Sequence, residues 1–206
     1  MKNLILVILL LSTFNCFAQS SEELQKKYTV FNRTISPGPE PKSIHLNDGE
    51  GEGHAWLNNT KFTNGTIEVD IKGKDVYQKS FVGIAFHGIN DSTFEAVYFR
   101  PFNFRTTGPL RKLHAVQYIA PPKFGWEKLR NEFPLKYEQP ITPAPDPNQW
   151  FHARITVDGN NIKVYVNGNT TPSLVVEPLV HYDGTMIGLW TDSDGEWKNV
   201  KITPSK

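Results

Sequence analysis

The chain has 206 residues, with 22 Lys and Arg against 21 Asp and Glu, so its formal net charge is +1. The basic residues are scattered, which leaves no electrostatic case for nucleic acid or an anionic membrane as a partner. A lone cysteine, Cys16, excludes a disulfide framework, and an aromatic share of 12% suits a sandwich core and a sugar-stacking surface equally.

Residues 1–18 read as a secretory signal peptide. Lys2 gives a basic start, Leu4 to Leu11 an apolar stretch too short to span a bilayer, and Cys16-Phe17-Ala18 a small-x-small cleavage site before Gln19. Lipoprotein anchoring through Cys16 is the rival, but Asn15 in front of it is larger than the Gly or Ala such a site prefers. Cleavage leaves roughly 185 residues without cysteine, enough for one domain with a sizeable core. Export without disulfides points to a bacterial protein, secreted or periplasmic.

Residues 19–41 read as a polar lead and linker, with a strand at 28–32 and a proline-rich stretch from Ser36 to Pro41 that breaks regular structure. From 42 to 206 short strand-like runs recur between Gly, Asn and Asp: 43–46, 54–57, 65–72, 81–87, 94–100 and 114–119, then 173–177, 186–191 and 197–202. Between these two groups lies the clearest local pattern. Phe151, Ala153, Ile155 and Val157 alternate with His152, Arg154 and Thr156, and Ile162, Val164 and Val166 alternate with Lys163, Tyr165 and Asn167. A period of two makes each arm apolar on one face, and Gly159 with Asn160 and Asn161 supplies the positive φ angles of a tight hairpin. Many short strands with turn chemistry between them predict an all-β, two-sheet antiparallel sandwich.

One segment departs from that pattern. Trp126, Leu129, Arg130 and Phe133 stand at helical spacing within 124–133, and Pro134 closes the run, so the sandwich carries one short helical insert. The insert continues as a proline loop to Pro147, and such a loop is where a sandwich carries its specificity.

The strand order, the 65–72 and 81–88 strands, the 150–168 hairpin and the closing 184–190 strand together resemble the concanavalin A-like lectin/glucanase superfamily. Within it the chain is similar to laminin-G-like jelly rolls and to 3-keto-disaccharide hydrolase domains, also described as family-16-like glycoside hydrolases. The resemblance covers roughly residues 42–203 and implies a jelly roll of two curved sheets whose concave face meets a glycan. One departure matters. Family-16 glucanases carry Glu-x-Asp-x-x-Glu on one strand, whereas Glu68 and Asp70 in this chain are followed by Gly73 where the acid should stand. The retaining glucanase mechanism therefore does not carry over, and Glu68 and Asp70 read as solvent-facing strand residues.

The candidate chemistry lies upstream of the hairpin. From Phe94 to Phe104, the polar residues Glu95, Arg100 and Asn103 sit among large aromatics, where each must be paired or face a ligand. Glu95 is the expected catalytic acid or base, His87 its partner and Arg100 the positioning group; the alternative is a buried Glu95–Arg100 bond. Substrate-binding roles are expected for His54, Tyr98, Asn103, His114, Gln117 and Trp126. Alternation places His87 on the face shared with Gly83 and Ala85, away from Val82, Ile84 and Phe86. His54, His87 and His114 lie on three predicted strands, but spacing alone assigns no metal. Arg105 and Arg111 read as solvated, and Asp192 to Glu196 as a hairpin turn rather than a calcium loop. No phosphate-cradling loop or nucleophile elbow occurs, and no cofactor is expected. The expected partner is an oligosaccharide or glycoside, bound by the protein and hydrolysed if it is an enzyme; the alternatives are a noncatalytic glycan-binding module and a laminin-G-like adhesion domain.

Overall fold

The computed structural model describes residues 20–205; the signal-peptide reading and Cys16 fall outside them. The chain opens with α1 (Ser21–Lys27), β1 (Tyr28–Phe31), β2 (Ile35–Pro37), β3 (Ile44–Leu46), β4 (Gly53–Leu57) and β5 (Gly65–Lys72). It continues through β6 (Val82–Asn90), β7 (Thr93–Phe99), α2 (Pro109–Lys112), β8 (Val116–Ile119), α3 (Trp126–Glu132) and β9 (Glu138–Gln139). It closes with β10 (Phe151–Val157), β11 (Ile162–Val166), β12 (Leu174–Val176), β13 (Met186–Thr191) and β14 (Gly195–Pro204). Two antiparallel seven-stranded sheets result, ordered β1-β4-β13-β6-β7-β8-β9 and β12-β11-β10-β5-β14-β3-β2. Among the described residues no helix is long and apolar enough to cross a membrane.

The second sheet follows its sequence pattern. β10 alternates buried and half-buried residues along its length, and its apolar side meets the first sheet: Phe151 packs edge-on against Phe99 at 4.9 Å between ring centres. The polar side faces solvent. There Glu68 accepts from Lys201 at 3.0 Å, and Asp70 pairs with His152 at 2.8 Å, so these two carboxylates are strand-surface residues as expected. The β10–β11 turn is held by Asp158, whose Oδ1 accepts from Asn160 N at 3.2 Å and Asn161 N at 2.7 Å. Asp158→Ala removes both bonds at a site open to water, so it lowers stability by only about 1 kcal/mol, measurable as a shift in denaturant midpoint at constant slope.

Two segments are more ordered than their composition suggests. Residues 19–41, expected as lead and linker, supply a strand to each sheet: β1 pairs with β4, and β2 pairs with β3. Pro37 ends β2 at a sheet edge, where its missing N–H breaks no ladder bond. The expected helix is α3, with Leu129 buried beneath it, and the proline loop after it contains β9, which extends the first sheet beside β8.

The first sheet differs from the second in being buried on both faces. Along β7 every residue from Phe94 to Phe99 is buried. One face is the sandwich core; α3 and its neighbouring loops wall the other, and the functional geometry lies between them.

Candidate functional site

A single cross-strand row builds the floor of the site. On the outer face of the first sheet, His54 of β4 stands opposite Trp190 of β13, and Trp190 opposite Gly83 of β6. Gly83 then faces Tyr98 of β7, Tyr98 faces Gln117 of β8, and Gln117 faces Glu138 of β9. Gly83 has no side chain to separate its neighbours, so the Tyr98 and Trp190 rings meet across it at 4.7 Å. Above this floor opens a cleft of about 290 Å³, walled by Phe81, Phe102 and Tyr77 and by the half-exposed indole of Trp126 at the start of α3.

Arginines organise one wall. Arg100, 5% exposed, donates from Nη2 to Tyr98 Oη at 2.5 Å and to Gln117 Oε1, and from Nη1 to the His114 carbonyl at 3.1 Å. Arg130 grips Glu138 with two bonds, at 2.8 and 2.7 Å. Arg111 donates to Asn103 Oδ1 at 3.2 Å and to the Phe102 carbonyl at 2.8 Å, and lies 4.3 Å over the Tyr77 ring. It is part of the wall, which corrects its reading as a solvated residue. His114 Nδ1 lies 2.8 Å from Glu138 Oε2, out of line for a regular hydrogen bond.

The two sides of the cleft treat carboxylates in opposite ways. Burial pushes Glu138 up, but the Arg130 hydrogen bonds and the charges of Arg130, His114 and Arg100 outweigh it and hold it below the usual range. On the far side, burial raises Glu52, helped by the neighbouring charge of Asp192 and opposed by a hydrogen bond from Trp190 Nε1 at 3.3 Å. Burial also lowers His114 against the pull of Glu138, which favours the neutral imidazole. The Tyr98 phenol is pushed up to about 12 by burial, so it remains a hydrogen-bond donor at neutral pH.

Of the residues predicted from sequence, Tyr98, Arg100, Asn103, His114 and Trp126 line this cleft, and Gln117 lies directly beneath it. Glu95 and His87 do not. On β7, Glu95 shares the inward side with Phe99, and it lines a second cavity of about 270 Å³ with His87 and Asn64. Its Oε1 takes His87 Nδ1 at 2.7 Å and its Oε2 accepts from Tyr118 Oη at 2.5 Å. The expected grouping of Glu95, His87 and Arg100 is therefore divided between two cavities, and Glu95 has no bond to Arg100. The cause for His87 is a bulge: the β6–β7 register shifts between Phe86 and Asn90, and His87 takes a φ of 50°. That bulge turns the imidazole off the Gly83–Ala85 face onto Glu95 and the Thr63 carbonyl.

His54 belongs to the floor row but is sealed away from the cleft. It is fully buried, stacked on Trp56 at 4.8 Å and edge-on to Phe94 at 4.6 Å. The three histidines thus serve three separate places. Among the described residues no group of three or more His, Cys, Asp or Glu side chains converges as metal ligands would. Sequence reasoning missed Glu52, Trp190 and Asp192 as cleft residues and Glu138 as the buried carboxylate behind its wall. For Glu138 a clue existed in the insert's strand-like Tyr137–Gln139 run, but Glu52 sits in a Gly-rich turn and Asp192 in a short Asp-Ser-Asp turn, and neither carries a periodic signal.

Two facing seven-stranded antiparallel sheets define a lectin-type β-sandwich, with an aromatic, arginine-lined cleft on one outer face. The chain belongs to the 3-keto-alpha-glucoside-1,2-lyase-like domain family, whose model matches residues 18–203. Among solved structures it is similar to the carbohydrate-binding module CBM66 from Bacillus subtilis, at 18% identity and a TM-score of 0.57, covering 84% of this chain and 93% of that one. It is also similar to a putative glycosyl hydrolase from Parabacteroides distasonis, at 14% identity and a TM-score of 0.52, covering 88% and 89%. A third likeness is the carbohydrate recognition domain of Emp46p, at 14% identity and a TM-score of 0.55, covering 88% and 89%. These likenesses are of fold. No curated protein sequence matches the chain.

Proposed function

We propose that the protein is an exported, carbohydrate-active sandwich that binds a 3-keto-glucoside on the concave face of its first sheet and cleaves the glycosidic bond there. The observation that supports this reading is the His114–Glu138 pair beside the buried guanidinium of Arg100, with His114 and Arg100 lining one aromatic-walled cleft. A ketone at C3 makes the hydrogen on C2 acidic, so cleavage needs a base at C2 and a cation or donor where negative charge develops on the C3 oxygen. Neutral His114 serves as the base, with the Glu138 carboxylate stabilising the imidazolium that forms. Arg100 and Arg130 face the developing enolate, while Trp190, Tyr98 and Trp126 offer stacking faces to the sugar and its aglycone. The roles first expected of Glu95 and His87 pass to residues of this cleft, because that pair is closed upon itself and Tyr118.

The test is product analysis with the purified protein on matched plain and 3-keto α-glucosides. Elimination across C1–C2 yields an unsaturated keto sugar with ultraviolet absorption and a primary isotope effect from deuterium at C2. Hydrolysis instead places solvent oxygen in the sugar and shows no such effect, which would remove His114 from the role of base at C2. Binding of the keto sugar without either product would return the protein to the class of glycan-binding modules.

A further inference from the structure

Glu138 is held by guanidinium groups, but Glu52, on the opposite wall of the cleft, has no Lys, Arg or His paired with it among the described residues. Its described hydrogen bond comes from the Trp190 indole. Resting on the reading of the cleft as a site of glycoside cleavage, we propose that Glu52 hands the leaving oxygen its proton. We further propose that Asn32 and Arg33, which do not line the cleft, are positioning residues that set Glu52 at its wall.

The placement is built from the N-terminal segment. Asn32 holds a left-handed φ of 52°, a conformation Asn tolerates well. From there its Nδ2 donates to the carbonyls of Glu50 at 2.8 Å and Glu52 at 2.9 Å. Arg33 donates to the Asn32 carbonyl at 2.6 Å and to the Gly51 carbonyl. Together the two side chains staple the turn that carries Glu52. Glycines make the staple possible: a Cβ on Gly53 would fall 2.5 Å from Arg33 Cγ, and one on Gly49 2.9 Å from Arg33 Nη1. Asp192 and Asp48 are the acidic groups whose charge Arg33 feels, so Glu52 keeps a site in which burial favours its protonated form. One carboxyl biased toward its protonated form at the cleft wall and one biased toward its ionised form behind the opposite wall is the division that acid and base roles require.

The step balances without an outside reagent. His114 takes the hydrogen from C2, the C2–H electron pair becomes the C1=C2 double bond, and the C1–O bond breaks. The leaving oxygen keeps that bonding pair and takes the proton from the Glu52 carboxyl. The products are an alcohol and a 2-hydroxy-3-keto glycal, with no change in oxidation level. Proton exchange with solvent then returns His114 and Glu52 to their starting states.

The test compares methyl and 4-nitrophenyl 3-keto-α-glucosides, because nitrophenolate leaves without a proton whereas methoxide does not. Glu52→Gln is expected to lower kcat about 100-fold on the methyl glycoside and less than about fivefold on the nitrophenyl one, with KM little changed. Asn32→Ala and Arg33→Gln are expected to show the same selectivity at about tenfold, with thermal midpoint and near-ultraviolet circular dichroism confirming the fold. Equal losses on both substrates from Glu52→Gln overturn the proton-donor role. Equal losses, or none, from Asn32→Ala and Arg33→Gln overturn the positioning role. A wild-type protein that cleaves neither glycoside overturns the cleavage reading and the donor role together. The staple is then judged by ¹³C NMR titration of the Glu52 carboxyl. It is expected above the ordinary Glu range in wild type and closer to it in Asn32→Ala, which breaks the staple without changing charge; an unmoved carboxyl overturns the positioning role.

Discussion

Arg100→Met is expected to lower cleavage about 1000-fold while leaving the protein folded, because the guanidinium supplies charge and direction that no neighbour replaces. Arg100 bonds Tyr98, Gln117 and the His114 carbonyl from one planar fork. Arg100→Lys is therefore expected to recover little: an ammonium keeps the charge but cannot span three acceptors in one plane. The stability cost is smaller than burial alone suggests. Tyr98 Oη still donates to Gln117 at 2.8 Å, Asn103 still donates to the His114 carbonyl at 3.1 Å, and Glu138 keeps both Arg130 bonds. The change removes the 3.5 Å contact from Arg100 to Glu138, a buried pair, but Arg130 still neutralises that carboxylate, so the loss should be about 1–3 kcal/mol, below the figure for a pair whose partner is left stranded. Steady-state kinetics with a denaturant titration checks both parts. Turnover within tenfold of wild type would remove Arg100 from the chemistry.

The second large effect is on stability in acid, and its source is His54. Burial lowers this imidazole from its usual 6.5 to about 4, and it is fully buried against Trp56, Phe94 and Phe31. The unfolded chain therefore takes up the proton before the folded one does. Stability conferred by the neutral ring is complete above about pH 6.5 and is lost as pH falls toward 4, by about 3 kcal/mol in total. His87 runs the other way. Burial lowers it, but the Glu95 hydrogen bond, the Thr63 carbonyl and the Glu95 charge together raise it. Its stabilisation is complete below the unfolded value and is lost as pH rises through the folded one. His54→Phe preserves the stack on Trp56 and should flatten the acid limb, whereas His87→Gln should flatten the neutral-to-alkaline one. Midpoints of urea unfolding from pH 4 to 8 measure this. An acid limb unchanged in His54→Phe would assign it to the carboxylates instead.

Much of the fold was legible because β-structure announces itself locally. The alternation in β10 and β11 and the turn at Gly159 predict the hairpin within two residues at each end. The Phe94–Phe104 composition also singles out Tyr98, Arg100 and Asn103, which line the cleft, since polar groups among large aromatics must bond something. Alternation fails at His87, where one bulge rotates a side chain from one face to the other. It is silent for Glu52, because a turn of three glycines and two glutamates has no period that says which way a carboxylate points.

The sequence by itself determined the class of architecture and the hairpin, both of which follow from short-range pattern and residue chemistry. It also placed Arg100 with Tyr98, two residues apart on one face of one strand. Only the tertiary structure decided their company. Cross-strand register joined Trp190, Tyr98, Gln117 and Glu138 into one floor, and the bulge at His87 sent Glu95 to a separate cavity. The N-terminal segment, read from sequence as lead and linker, holds the turn that carries Glu52 through hydrogen bonds from Asn32 and Arg33 to its backbone carbonyls. Side-chain identity within a strand records which face is buried; which distant residues meet on that face depends on register and loop geometry, and these are set by the packing of the whole sandwich.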